Sequence, residues 1–139
     1  MNSKKPILLI EDDRVDALTV KRAMGSIGFI NELIIKTTGE EALTYLQNPL
    51  NKKPSIILLD LNMPRMNGLE FLQLIKSDEE LKIIPVIILT TSRNENDRLE
   101  AFKWSVAGYM IKPIDYSMFV DLISMIDKYW GISEFPWDE

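Results

Sequence analysis

Four short apolar runs of this 139-residue chain each end in polar side chains that could do chemistry. These side chains are carboxylates, a hydroxyl and an ammonium, contributed by Glu11, Asp12, Asp13, Asp60, Thr90 and Lys112. The runs that precede them are Ile7–Ile10, Ile56–Leu59, Val86–Leu89 and Tyr109–Ile111. Mg²⁺ prefers oxygen ligands, and an ammonium group can neutralise a phosphoryl oxygen. The residue types therefore predict a site for a divalent cation and a phosphoryl group, provided that all four runs end on one side of one sheet.

The runs have the composition of strands in a parallel sheet. They are short and rich in Ile, Leu and Val, which is typical of strands buried on both faces. Leu33–Lys36 predicts one more strand, and the fifth is expected over Ala107–Ile111. Segments with apolar residues at helical spacing alternate with these strands, so we predict an α/β fold, doubly wound (βα)5, with a five-stranded parallel sheet. Ligands of such sheets bind beyond the carboxyl ends of the strands, and the first and third strands are neighbours.

Helix-start signals separate structural residues from candidate ligands. Asp13 is expected to cap the first helix, over residues 14–27. Asp16 falls in the first turn of that helix, where an acid complements the helix dipole, and we assign it this role rather than a role in the site. The other predicted starts are capping boxes at Thr38 with Glu41 and at Ser92 with Glu95, a start at Asn67, and a cap at Asp115.

Composition excludes several classes of function. The chain has no cysteine and no histidine, which removes thiolate metal sites, histidine ligands and catalysis through a Ser-His or Cys-His pair. A net charge of −5 argues against nucleic acid as a partner. No apolar run has the length of a membrane span or a signal-peptide core, so we expect a cytoplasmic protein that does not bind membranes. Length predicts a single domain over residues 1–139, with a core at 6–130 and an aromatic tail at 131–139.

Each candidate site residue has an ordinary structural explanation when it is taken alone. An aspartate after a strand commonly caps a turn, and a lysine at a strand end is usually a surface residue. Convergence changes this interpretation, because carboxylates from Glu11, Asp12 and Asp60 on one rim repel each other unless a cation joins them. Lys112 could then pair with Asp60, and a cis bond to Pro113 would aim the lysine inward.

The chain resembles the response-regulator receiver domains of two-component signalling. The matching motifs each close a strand and occur in the family's order: Ile10-Glu11-Asp12, Leu59-Asp60-Leu61-Asn62-Met63-Pro64 with Gly68, Leu89-Thr90, and Gly108-Tyr109-Met110-Ile111-Lys112-Pro113. The resemblance covers the chain from Pro6 to about Trp130. It implies a flavodoxin-like sheet with strand order 2-1-3-4-5.

The resemblance also implies a role for each matching residue. Asp60 would accept the phosphoryl group, and Lys112 and Thr90 would contact it. Mg²⁺ would be held by Asp12 and Asp60 directly, by Glu11 through water, and by the backbone carbonyl of Asn62. When Thr90 moves towards the phosphoryl group, Tyr109 would rotate inward and change the surface of the fourth helix, fifth strand and last helix.

The implied function is that of a stand-alone response regulator, phosphorylated by a sensor histidine kinase, with only weak autophosphorylation and autodephosphorylation of its own. Tyr129-Trp130 near the end of the last helix resembles receivers of which some serve phytochrome-type kinases. The altered face would mediate a homodimer or kinase docking. Trp130 is expected to pack into the core of its own chain, under the tail.

Two other classes of function, and one departure from the family pattern, also bear on the interpretation. A magnesium phosphohydrolase that forms an aspartyl-phosphate would need an acid two residues after Asp60, where the chain has Asn62. A flavodoxin-like cofactor binder would need a phosphate-binding loop after the first strand, and none follows it. Thr91 is larger than the family's usual residue there, so we expect it to narrow access to the phosphoryl group and to affect phosphate lifetime.

Overall fold

A computed structural model describes residues 5–63 and 65–137 and shows a five-stranded parallel sheet with strand order β2-β1-β3-β4-β5. The strands are β1 Ile7–Ile10, β2 Leu33–Lys36, β3 Ile56–Leu59, β4 Val86–Thr90 and β5 Gly108–Ile111. The helices are α1 Arg14–Ser26, α2 Gly39–Gln47, α3 Gly68–Lys76, α4 Glu95–Lys103 and α5 Tyr116–Ile132, with a short 3₁₀ turn at Leu81–Ile83. The predicted fold class and strand order are therefore confirmed. Pro64 of the Asp60 motif and the last two residues of the tail lie outside the described residues.

Two apolar layers cover the two faces of the sheet. Alternate residues of the central strands point to opposite faces, as the two-residue period of a strand requires. Leu8 and Ile10 pack with α2, α3 and α4, whereas Ile7 and Leu9 pack with α1 and α5. Because β1, β3 and β4 are buried on both faces, their ends are fixed firmly, and this fixes the polar residues that follow them.

The helix caps agree with the sequence except at α4. Asp13, Thr38, Asn67 and Asp115 are N-caps as predicted, and the Glu41 carboxylate accepts from the backbone N–H of Thr37 at 3.0 Å. The predicted capping box at Ser92 is wrong. The N-cap of α4 is Asn94, two residues later in the chain than Ser92. The Asn94 side chain accepts a hydrogen bond from the Asp97 N–H. Ser92 instead forms hydrogen bonds with Thr90, Tyr109 and Asp97.

The chain turns back on itself after α5. This helix continues to Ile132, so the predicted core boundary at residue 130 falls inside the helix. Phe135 is buried and stacks between Trp130 and Trp137, with ring centroids 5.6 Å and 5.1 Å apart. The Lys5 ammonium lies 4.8 Å from the Trp137 ring centroid. The tail therefore completes the apolar layer over α1 and α5, which confirms that Trp130 packs against its own core.

Among the described helices, none combines the length and the apolar character that crossing a bilayer requires.

Candidate phosphoryl-acceptor and metal site

Three carboxylates meet at the carboxyl edge of β1 and β3. Ile10 pairs with Leu59 in the sheet, so the residues that follow, Glu11 and Asp60, emerge side by side, and the Asp60 N–H donates to the Ile10 carbonyl at 3.1 Å. Oxygens of Glu11, Asp12 and Asp60 all lie within 4.8 Å of one another. Glu11 and Asp60 are only 2% and 4% exposed, whereas Asp12 is exposed. The result is an all-oxygen cluster, open to water on one side, which fits a small divalent cation.

Lys112 reaches this cluster from the end of β5. Its Nζ donates to Glu11 Oε1 at 2.5 Å and to Asp16 Oδ2 at 2.8 Å, and lies 3.6 Å from Asp60 Oδ2. The lysine side chain is 7% exposed. The described peptide bonds are all trans, so the expected cis bond to Pro113 is wrong, and the lysine reaches inward without it.

Asp16 was expected only to complement the dipole of α1, and this prediction is incomplete. Asp16 does lie in the first turn of α1, but its carboxylate also binds the ammonium of Lys112. The two residues are 96 positions apart in the chain. The sequence alone could not predict this pairing. An acid in the first turn of α1 complements the helix dipole equally well when no lysine is nearby.

Burial and charge shift the pKa values of the two buried partners. Burial raises the pKa of Glu11 to about 8; the hydrogen bond from Lys112 opposes this shift, and the nearby Asp60 charge adds to it. Burial lowers the pKa of Lys112, but its hydrogen bonds to Asp16 and Glu11 outweigh burial, and the net direction is upward. The lysine therefore stays charged at neutral pH, and the Glu11 carboxyl binds a proton far more readily than an exposed glutamate does.

The loop after Asp60 is held close to the start of α3. The Asn62 N–H donates to Asp60 Oδ1 at 3.3 Å, and the Gly68 N–H donates to the Leu61 carbonyl at 3.1 Å. A Cβ atom at position 68 would lie 2.4 Å from the Asp60 carbonyl oxygen and 2.6 Å from Leu61 Cα. Gly68 is therefore needed because the backbone of α3 approaches the Asp60 loop too closely for any side chain.

Ser92 connects the two residues that were expected to form a switch. Thr90 is fully buried, and its Oγ1 accepts from the Ser92 N–H at 3.2 Å. The half-buried Tyr109 donates its hydroxyl to the Ser92 carbonyl at 2.9 Å. The Ser92 hydroxyl donates to Asp97 of α4 at 2.8 Å. One residue thus joins β4, β5 and α4. Sequence reasoning missed this role because it treated Ser92 as a helix cap.

The outer rim of the site is formed by exposed polar residues. Asn62 Nδ2 lies 3.5 Å from the hydroxyls of both Thr90 and Thr91, at the limit of a hydrogen bond. Thr91 is exposed. The effect of the size of Thr91 on access to Asp60 stays a prediction.

A parallel sheet in this strand order, with carboxylates, a lysine and a buried threonine at its carboxyl edge, defines the receiver class of signalling domains. The family model described as the response regulator receiver domain matches residues 7–124, and the chain belongs to this family. It is 35% identical to response regulator Rcp1 of Synechocystis sp. over 133 residues, which are 93% of this chain and 90% of Rcp1. It is also 35% identical to the probable methanogenesis regulatory protein FilR2 of Methanothrix harundinacea over 127 residues, covering 89% of this chain and 82% of FilR2.

Solved structures of response regulators also match this chain over almost its full length. The phosphorylated cyanobacterial phytochrome response regulator RcpA matches with a TM-score of 0.89 and 33% identity, covering 96% of this chain and 99% of RcpA. The Mn²⁺-bound form of Rcp1 matches with a TM-score of 0.87 and 34% identity, covering 95% and 99% of the two chains. The bacteriophytochrome response regulator AtBRR matches with a TM-score of 0.75 and 32% identity, covering 99% of each.

Membership of this family gives the chain its general function. It is a response regulator of two-component signalling, a class that histidine kinases phosphorylate, and its role is in signalling. Membership of the receiver family fits a role as phosphoryl acceptor and does not favour the alternative of a magnesium phosphohydrolase. The acidic cluster of Glu11, Asp12 and Asp60 suits a divalent metal ion.

Proposed function

We propose that Asp60 accepts a phosphoryl group from the phosphohistidine of a sensor kinase. An Asp60 carboxylate oxygen bonds to phosphorus while the donor's phosphorus–nitrogen bond breaks, and the histidine keeps the electron pair of that bond. The observation that carries this proposal is the placement of Asp60, a nearly buried carboxylate beside those of Glu11 and Asp12 and 3.6 Å from the Lys112 ammonium. In-line phosphoryl transfer depends mainly on such positioning and on charge neutralisation.

Four groups would hold Mg²⁺ in this proposal: the carboxylates of Glu11, Asp12 and Asp60, and the backbone carbonyl of Asn62. The bound cation would neutralise charge on the phosphoryl oxygens. Lys112 would neutralise a further phosphoryl oxygen, and Thr90 would donate its hydroxyl to another. Support for this set comes from the oxygen-only cluster and from the short distances between Lys112 and its carboxylates.

The output switch runs from Thr90 to Tyr109 through Ser92. When the Thr90 hydroxyl turns to the phosphoryl group, its hydrogen bond to the Ser92 N–H is lost and the start of α4 can shift. Tyr109 then exchanges its bond to the Ser92 carbonyl for an inward position. Phosphorylation shifts the populations of two states that already coexist.

The partner we propose is a phytochrome-type sensor kinase. This proposal is supported by the similarity to the phytochrome response regulator RcpA and the bacteriophytochrome response regulator AtBRR over almost the full length of each chain. Phosphotransfer kinetics test it: we expect faster transfer from a phytochrome-type histidine kinase than from a chemotaxis-type kinase. The opposite preference would contradict it. Nucleic acid has no part in the proposal, since the net charge is −5.

The output face we propose is α4, β5 and α5, and α5 carries the clearest feature for a homodimer. Apolar side chains recur along α5 at alternating spacings of four and three residues; Leu122 is half-buried and the others are exposed: Met118, Leu122, Met125, Tyr129 and Ile132. This is the spacing of a coiled-coil seam. Beside it, an apolar cleft of about 390 Å³ separates α5 from the edge strand β5. A second α5 would bury this seam.

Sedimentation tests the dimer. We expect a phosphoryl mimic such as beryllofluoride with Mg²⁺ to strengthen association of the wild-type protein, and Met125→Glu to abolish that association. Leu50→Glu, which places the same charge on an exposed loop residue outside α5, is the matched control and should associate normally. Association of Met125→Glu at wild-type strength would place the interface elsewhere.

Intact-mass measurement tests phosphoryl acceptance. After incubation with a small phosphodonor and Mg²⁺, the wild-type protein should gain one phosphate mass slowly, and Asp60→Asn should gain none. Labelling of Asp60→Asn at the wild-type level would reject Asp60 as the acceptor.

A further inference from the structure

We infer that Asp16 is a positioning residue that holds the Lys112 ammonium when the metal takes the lysine's other partners, and so strengthens metal binding. The inference rests on the proposed function of the Asp60 site. It adds to that site a carboxylate outside the three that cluster for the metal.

The environment of Lys112 requires carboxylate partners. Its side chain is 7% exposed, and a buried ammonium without a partner is strongly unfavourable. Three carboxylates surround its Nζ at 2.5 Å (Glu11), 2.8 Å (Asp16) and 3.6 Å (Asp60).

Two of these three partners are also candidate metal ligands. Glu11 and Asp60 belong to the cluster in which the oxygens lie within 4.8 Å of one another, and Asp16 does not. A cation therefore competes with Lys112 for Glu11 and Asp60. Asp16 alone among the three can keep its hydrogen bond to the ammonium while the other two turn to the metal. Without Asp16, the buried ammonium stays on Glu11 and Asp60 and opposes metal binding.

A helix-dipole role for Asp16 makes a different prediction. Asp16 lies in the first turn of α1 and complements the dipole whether or not a lysine is present. A purely electrostatic role as one more negative charge near the cation is likewise independent of Lys112. Positioning requires that the effect of Asp16 on metal affinity disappear when the ammonium is removed.

Asp13 provides a matched control. It carries the same charge near the start of the same helix, but its carboxylate accepts from the Val15 and Asp16 N–H groups. Asp13→Asn removes the charge and retains a good capping residue. Asp16→Asn removes the same charge together with the strong bond to Lys112.

The experiment is a titration of the full-length protein with Mg²⁺ by calorimetry, with unfolding midpoints measured to check that each variant is folded. We expect Asp16→Asn to raise the Mg²⁺ dissociation constant by about fivefold, as loss of a partly exposed ion pair would. Asp13→Asn should change it by less than about twofold. In a Lys112→Met background, Asp16→Asn should have no larger effect than Asp13→Asn.

Two results would overturn the inference. One is equal weakening by Asp16→Asn and Asp13→Asn, and the other is an Asp16→Asn effect that persists undiminished in Lys112→Met. Failure of the wild-type protein to bind Mg²⁺ would instead reject the metal part of the proposed function. Wild-type binding with no specific Asp16 effect rejects the inference alone.

Discussion

Lys112 is the residue at which the separate parts of the site are joined. Its ammonium bonds to Glu11 after β1 and to Asp16 on α1, and approaches Asp60 after β3. Burying this charge costs desolvation free energy, which is offset only because acidic groups surround the ammonium. The metal-free site is thus one connected network of acidic groups around the ammonium. We expect metal binding to rearrange this network and leave its members paired.

Glu11 should make metal binding dependent on pH. With its pKa raised to about 8 by burial, Glu11 is mostly protonated at pH 7 in the metal-free protein, and a cation must displace that proton. We expect Mg²⁺ affinity to rise by up to about tenfold per pH unit until about pH 8 and then level off. Calorimetry at pH 7 in buffers of different ionisation enthalpy should detect the released proton.

Glu11→Gln is the control for this measurement, and it should release no proton. The raised pKa of Glu11 also makes the stability of the metal-free fold depend on pH. Because the folded state holds this proton more tightly than the unfolded chain does, Glu11 stabilises the metal-free protein most below its ordinary pKa of 4.5, and loses that contribution as pH rises to about 8. A wild-type Mg²⁺ affinity that does not vary between pH 6 and pH 8 would contradict the raised pKa.

The site residues could be predicted from sequence to different degrees. Glu11, Asp12, Asp60 and Lys112 follow buried strands, and a parallel sheet brings such strand ends together whatever the details of packing. Asp16 lies on a helix instead. Periodicity gives the face of a helix, but the contact with Lys112 depends on how α1 packs beside the sheet. That geometry is not encoded in the local pattern.

At the scale of elements, the loop between β3 and α3 is tied tightly to the helix that follows it. Asn67 and Glu70 form a complete capping box at the start of α3, and the Gly68 N–H donates to the carbonyl of Leu61. The Asp60 backbone is therefore fixed by α3 as well as by the sheet. This rigidity should hold Asp60 in the position that in-line attack requires.

Gly68→Ala should therefore destabilise the protein. The added Cβ would lie 2.4 Å from the Asp60 carbonyl oxygen, which belongs to backbone and cannot easily move. We expect the free energy of unfolding in urea to fall by about 1–3 kcal/mol. Gly25→Ala is the control, because a Cβ there has no atom within 4 Å and should be neutral or slightly stabilising. Equal stability of the two variants would contradict the close approach.

The start of α4 shows why element boundaries are harder to predict than elements. Ser92 with Glu95 matches the capping-box pattern, yet Asn94 is the cap. The backbone of Ser92 is already bonded to Thr90 and Tyr109, from β4 and β5. Tertiary hydrogen bonds thus decide between two acceptable caps that are two residues apart, and a local pattern contains no information about them.

At the scale of the whole molecule, the aromatic tail is part of the fold. The sequence predicted the layered sheet correctly because alternation of strands and helices determines it. It predicted only that the tail covers Trp130. The stacking of Phe135 between Trp130 and Trp137 depends on the direction in which the chain leaves α5, which is a property of packing.

Phe135→Ala should lower the stability of the whole domain. The side chain is 6% exposed and lies in the same apolar layer as α1 and α5, so its removal leaves a cavity. We expect a loss of about 2–4 kcal/mol in the free energy of unfolding, measured in urea. Glu134→Ala, at the exposed neighbouring residue, should be close to neutral. A Phe135→Ala variant as stable as the wild type would show that the tail is not packed in solution.

The most direct test of the central claim is chemical mapping of the phosphorylated residue. Borohydride reduces an aspartyl phosphate to homoserine, so the modified position can be read by sequencing peptides of the labelled protein by mass spectrometry. The protein is first phosphorylated by a phytochrome-type kinase or by a small phosphodonor with Mg²⁺. We predict homoserine at position 60 and at no other aspartate. Homoserine at position 12, 13 or 16, with Asp60 intact, would contradict the assignment of the phosphoacceptor.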